Sequence, residues 1–187
     1  MKRVAWFRAG FRWLVAGWVL LLATASSAAD EGLTLPFTPL QLAIVPGFGQ
    51  LFSKATPVYG LRASAIYGMQ SKVVGLDAGL FNDSESLTGL GVGLCNVTRG
   101  NAVGAHLSAG VNYVETDFAG FQTGLANQVA GKLAGFQLGL ANDAEEGTGL
   151  QIGIINQSRA MRGLQLGLIN RNGKGLLPFF PIVNFGY

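Results

Sequence analysis

The side chains best suited to chemistry in this 187-residue chain are few and scattered. His106 is the only histidine and Cys95 the only cysteine. An imidazole acting as a base needs an acid or a nucleophile within hydrogen-bond reach. The strand-like unit around His106 reads instead as placing it on an exposed face with no reaction to serve. Cys95 stands where other units carry Phe81, Ala126, Ala141, Ile155 and Ile169, so it reads as a small apolar filler. One histidine and one cysteine give zinc no ligand set. The acids Asp83, Glu85, Glu115, Asp117, Asp143, Glu145 and Glu146 fall in polar stretches of different units. That pattern suits solvated corners better than a paired-carboxylate site.

Glycine-rich motifs fare no better. Gly89-Leu-Gly91-Val-Gly93 lacks the third glycine of a dinucleotide loop, and Gly131-Lys132 lacks the Ser or Thr that follows in a phosphate loop. Calcium-binding β-rolls repeat Gly-Gly-x-Gly-x-Asp, and no unit here carries that aspartate. The chain is therefore read as a non-enzyme without cofactor or metal.

What these residues sit on is a repeat. Aligned on glycine, Gly60, Gly75, Gly89, Gly104, Gly120, Gly135, Gly149 and Gly163 open eight units of 14–16 residues, most of them closed by an asparagine from Asn82 to Asn170. Within Gly163–Asn170 (GLQLGLIN), Leu164, Leu166 and Leu168 share one face of a strand, and Gly163, Gln165, Gly167 and Ile169 share the other. A helix would lose about 1 kcal/mol at each of its two glycines. Polar stretches such as Asp143–Gly147 supply the turns. Like residues at like phase reward parallel stacking, so the expected fold is all-β, a β-solenoid-like stack with one unit per coil. The extra residue in Gly104–Asn112 predicts a bulge. Gln122, Gln137, Gln151 and Gln165 fall at one phase and form the candidate binding face.

The rival architecture is a small outer-membrane β-barrel. Met161–Asn170 alternates for long enough to cross such a membrane, and the chain ends Val183-x-Phe185-x-Tyr187. Uniformly short loops and sparse aromatic girdles weigh against it.

The N-terminus reads as an export signal. Lys2, Arg3, Arg8 and Arg12 precede an apolar run, Trp13–Ala25, and small residues at Ser27 and Ala29 mark a cleavage point. The expected organisation is signal peptide 1–29, N-terminal cap 30–57, eight repeats over 58–175 and a C-terminal cap strand 176–187. The whole chain has 13 Lys and Arg against 10 acids; without the four basic residues of the signal it has nine against ten. No basic cluster is left to hold phosphates, which argues against nucleic acid as a partner. A lone cysteine also excludes an intrachain disulfide.

The units Gly149–Asn156 and Gly163–Asn170, the lead-ins Pro39-LQLAIVP and Val58-YGLRAS, and the ending Leu177-PFFPIVNFGY resemble the bacterial "surface repeat-containing" proteins over residues 36–187. The resemblance implies an exported, envelope-associated repeat protein. It implies no activity and carries over no catalytic residues. The expected setting is the outer membrane, cell surface or periplasm, with an envelope component as partner.

Overall fold

Two glycines per unit and a period of two favour extended chain over helix, and none of the described residues is helical. A computed structural model describes residues 33–44 and 50–187. The signal-like segment 1–29 and part of the expected N-terminal cap lie outside the described residues. The strands are β1 (Thr38–Ala43), β2 (Val58–Thr98), β3 (Ala102–Val114), β4 (Phe118–Thr123), β5 (Ala126–Leu138), β6 (Ala141–Ile152), β7 (Ile155–Asn172) and β8 (Phe179–Gly186).

Consecutive strands from β1 to β7 pair in parallel, each copy lying over the one before. Gly89 pairs with Gly104, Gly104 with Gly120, Gly120 with Gly135, Gly135 with Gly149 and Gly149 with Gly163. The fold is a β-solenoid. Its strand direction overturns the barrel alternative, because a meandering barrel needs antiparallel neighbours and only β8 is antiparallel to its partner.

Glycine is required at the head of each unit for two reasons that act together. All eight opening glycines have positive φ, from 125° to 146°, a region that side chains disfavour. At Gly149 a Cβ would also lie 1.9 Å from the carbonyl oxygen of Gly135 beneath it. The chain turns there while the backbones of successive coils approach closely.

The apolar core is a narrow strip, not the leucine face of the repeat. Val58, Val73, Leu87, Ala102, Phe118, Leu133 and Met161 line up two residues before the turning glycine, and all are buried. Val114, Val129 and Ala144 face them from the next side of the coil. The bulge expected in Gly104–Asn112 is present. Gly93 pairs with Ser108 but Cys95 with Val111, so Ala109 and Gly110 together oppose Leu94.

The two ends are built differently. Thr38–Ala43, assigned to the cap by sequence, stacks as a parallel strand on β2 with Gln41 over Arg62. At the other end β8 runs antiparallel along β7, so Asn184 faces Gln165 and does not open a further coil. Pro181 and Ile182, the latter at φ 71°, interrupt the outer edge of β8. An edge so broken is a poor template for further strands.

Gly149→Ala is expected to lower stability by roughly 2–4 kcal/mol, since it combines a strained φ with a backbone clash. Ala134→Ser, on an exposed position of the neighbouring strand β5, should change stability by less than about 0.5 kcal/mol. Urea unfolding followed by circular dichroism would measure both; equal, small effects would contradict the close stacking.

Candidate functional site

The polar residues that could do chemistry are gathered inside the stack, where they bond to one another. Asn82 donates to Asn96 (2.9 Å), Asn96 to Asn112 (2.9 Å) and Asn112 to Asn127 (2.8 Å). Asn127, Asn142 and Asn156 continue the ladder to Asn170 at 2.8–2.9 Å. Each Nδ2 donates its second proton to a backbone carbonyl of the next coil, Leu138 for Asn127, Ile152 for Asn142 and Leu166 for Asn156. Both protons of the amide are thereby used, which a buried carboxamide requires.

This ladder explains the second glycine of the repeat. A Cβ at Gly153 would lie 2.6 Å from Asn142 Nδ2, and one at Gly167 2.6 Å from Asn156 Nδ2. Glycine leaves the space through which the asparagine reaches the carbonyl above. The steric unit spans two coils: the second glycine of one unit makes room for the asparagine of the unit before, Gly139 for Asn127 as Gly153 for Asn142.

The glutamine row was expected to form an exposed binding face, and the structure corrects this. Gln122, Gln137, Gln151 and Gln165 have no exposed surface. Gln165 donates to Gln151 (2.7 Å), Gln151 to Gln137 (2.7 Å) and Gln137 to Gln122 (2.9 Å). Their carboxamides are engaged along the axis of the stack and cannot meet a partner. The physical reason is packing: between the two glycines of each unit, the interior has room for a flat amide.

His106 continues the same row, paired in register with Gln122 on one side and Gly91 on the other. It too was expected on an exposed face and is 1 % exposed instead. Its ring lies 5.1 Å from that of Phe118. Neither ring nitrogen has a hydrogen-bond partner, nor has Gln122 Nε2, among the described residues. Burial lowers the imidazole pKa to about 4. With glycine on one side and an amide on the other, the row offers His106 no acid and no nucleophile.

Below Gly91 the row holds a buried ion pair that sequence reasoning did not single out. Arg62 Nε donates to Asp77 Oδ1 at 2.6 Å, a second contact joins Nη2 to Oδ2, and Nη1 donates to the Asp83 carbonyl at 2.9 Å. Burial raises the Asp77 pKa, and the Arg62 guanidinium opposes that rise. Asp83 was expected in a solvated corner and is 2 % exposed. It accepts from Tyr67 Oη (2.9 Å) and from Arg99 (2.6 and 3.1 Å). Burial beside that carboxylate pushes the Tyr67 phenol up. Asp143 is likewise 5 % exposed. The remaining charged corner is solvated as expected, with Arg159 bridging Glu145 and Glu146.

Cys95 is free and half-buried, and burial raises its thiol pKa, the opposite of an activated nucleophile. No group of three His, Cys, Asp or Glu side chains that would suit a metal occurs among the described residues.

The apolar residues of the repeat point outward. Leu76, Phe121 and Phe136 are about two-fifths exposed, and Leu125, Leu140, Ile154 and Leu168 between 46 % and 67 %. Between the row of Leu138 and Ile152 and the row of Leu125, Leu140 and Ile154 runs a shallow groove of about 490 Å³, floored by Gly124, Gly139 and Gly153. This face is the candidate functional surface. The signal that could have located it was the third apolar row. Leu87, Phe118, Leu133 and Met161, two residues before the opening glycines, already supply the core.

Two outcomes are expected. The unfolded imidazole titrates near 6.5 and the folded one near 4. Between those values the unfolded chain binds a proton that the fold excludes. Stability is therefore intact above pH 6.5 and falls as the pH drops toward 4, by about 3 kcal/mol from this group. His106→Gln, which extends the glutamine row, should remove that part of the slope in urea titrations from pH 7 to 4; an unchanged slope would show His106 to be hydrated. Arg62→Met should cost about 3–5 kcal/mol by stranding Asp77, and adding Asp77→Leu should recover most of it. Thermal melts of the single and double variants would decide; equal losses in both would contradict the pairing.

Comparison with family models, with curated proteins and with solved structures finds no significant match to this chain.

Proposed function

We propose that this chain is an exported structural or binding protein of the bacterial envelope, with no catalytic role. The observation that carries the reading is the division of labour between rows. Interior amides bond coil to coil, and the Leu, Ile and Phe side chains between and after the two glycines of the repeat stand on an outer face. A repeated face of this kind serves recognition or coverage, because it offers the same contact at every coil. The signal-like N-terminus, with Lys2, Arg3, Arg8 and Arg12 ahead of Trp13–Ala25, supports export. The likeness of the repeat to the "surface repeat-containing" proteins supports an envelope setting.

Fractionation of cells producing the tagged chain tests this. Most of the protein is expected in the envelope or periplasmic fraction, shortened by about 29 residues on mass spectrometry. Full-length chain recovered from the cytosol would overturn the reading.

A further inference from the structure

The outer face has properties that narrow what it meets, provided the chain works at the envelope as proposed above. A dozen side chains along it, from Leu61 to Leu168, are exposed by 36–67 %. At roughly 80–100 Å² each they present about 1,000 Å², well beyond the ~300–600 Å² of the largest apolar patch on an ordinary monomer.

The face is also nearly free of hydrogen-bonding groups. Strand backbones along it are paired with the coils on either side. Ser108 and Thr123 carry the hydroxyls of the groove, and its other lining side chains are aliphatic. Protein interfaces carry about one hydrogen bond per 100–200 Å², which this face cannot supply. A hydrocarbon phase asks for what it offers, apolar side chains over a backbone whose polar groups are internally satisfied.

Shape points the same way. The chain bends at Gly139–Leu140 and at Gly153–Ile154, so the most exposed row projects as a ridge beside the groove. A rigid flat partner would rest on the ridge, whereas acyl chains fill around it. The charged side chains Lys132, Glu145, Glu146 and Arg159 lie just before the core row, with Arg162 just after it, away from the groove. An apolar face bounded by a charged edge is the layout of elements that lie in a membrane interface.

We propose that the Leu/Ile/Phe face of the solenoid seats in the hydrocarbon of a lipid leaflet, with the charged corner held among the head groups. The glycine-floored groove takes an acyl chain along the stack axis.

The test uses the full chain carrying Cys95→Ala and one new cysteine, either Leu140→Cys or Glu146→Cys, labelled with bimane. Vesicles of phosphatidylethanolamine and phosphatidylglycerol are prepared with and without a nitroxide in the acyl chains. The label at position 140 is expected to shift to the blue and to be quenched at least about threefold more than the label at 146, in low and high salt alike. Leu125→Asn with Leu140→Asn and Ile154→Asn, all on exposed positions, should cut flotation with vesicles by more than about tenfold while leaving the β-sheet circular dichroism intact. Equal quenching at the two positions would overturn the proposal. So would a label at 140 shielded without lipid in a chain that sediments as a dimer, which would assign the face to a second copy. Failure of quenching in a chain recovered from the envelope ends only the lipid assignment, whereas cytosolic full-length chain ends the envelope reading itself.

Discussion

Each coil turns at a glycine with positive φ, and each of those glycines lies beneath the next with a carbonyl oxygen where a Cβ would be. This close approach sets everything that follows. It fixes the distance between successive backbones, and so it fixes which side chains can point inward. The space left is thin, and flat amides fill it better than branched aliphatic groups do. Asparagine and glutamine rows, bonded coil to coil at 2.7–2.9 Å, then hold the register that the glycines permit.

The two ladders and the two glycines of the repeat form one mechanical device. The second glycine admits the asparagine amide, the asparagine bonds the carbonyl before that glycine, and the bend follows. Where glutamine gives way to other residues, the row is held differently. At His106 two ring nitrogens are left without partners, and the Arg62–Asp77 pair stands in the same row one coil below the gap at Gly91. Such departures concentrate toward the N-terminal half, while units from Gly120 onward are near copies. The later coils are thus the regular part of the stack, and the groove lies along them.

Placing amides inside has a consequence for the outside. Leucine, isoleucine and phenylalanine of the G-L-Q-L-G-L segment have nowhere to go but out, because alternation along the strand is strict. A chain meeting only water would lose by this arrangement. The apolar exterior and the polar interior are therefore one design, set by the same period of two.

Sequence by itself determined the strands and the phase of the repeat, and near-identical units at 14–16 residues favoured like-over-like stacking; the parallel strand direction that excludes a barrel came from the structure. It also determined the bulge in Gly104–Asn112, which follows from counting residues. What it did not determine was which face of each strand is inside. Leu164/Leu166/Leu168 and Gln165/Gly167 alternate equally well either way, and polarity alone would turn the glutamines out. The tertiary structure decided the matter through a third apolar row, Leu133 and its counterparts, whose residues lie outside the Gly-to-Asn units of the linear chain. Once that row and the close-packed glycines fill the interior, the slot left beside them takes polar side chains that bond within it, flat amides from Gln122 onward, and the glutamine row is buried. Burial of a row is a property of the closed coil, and no single strand contains it.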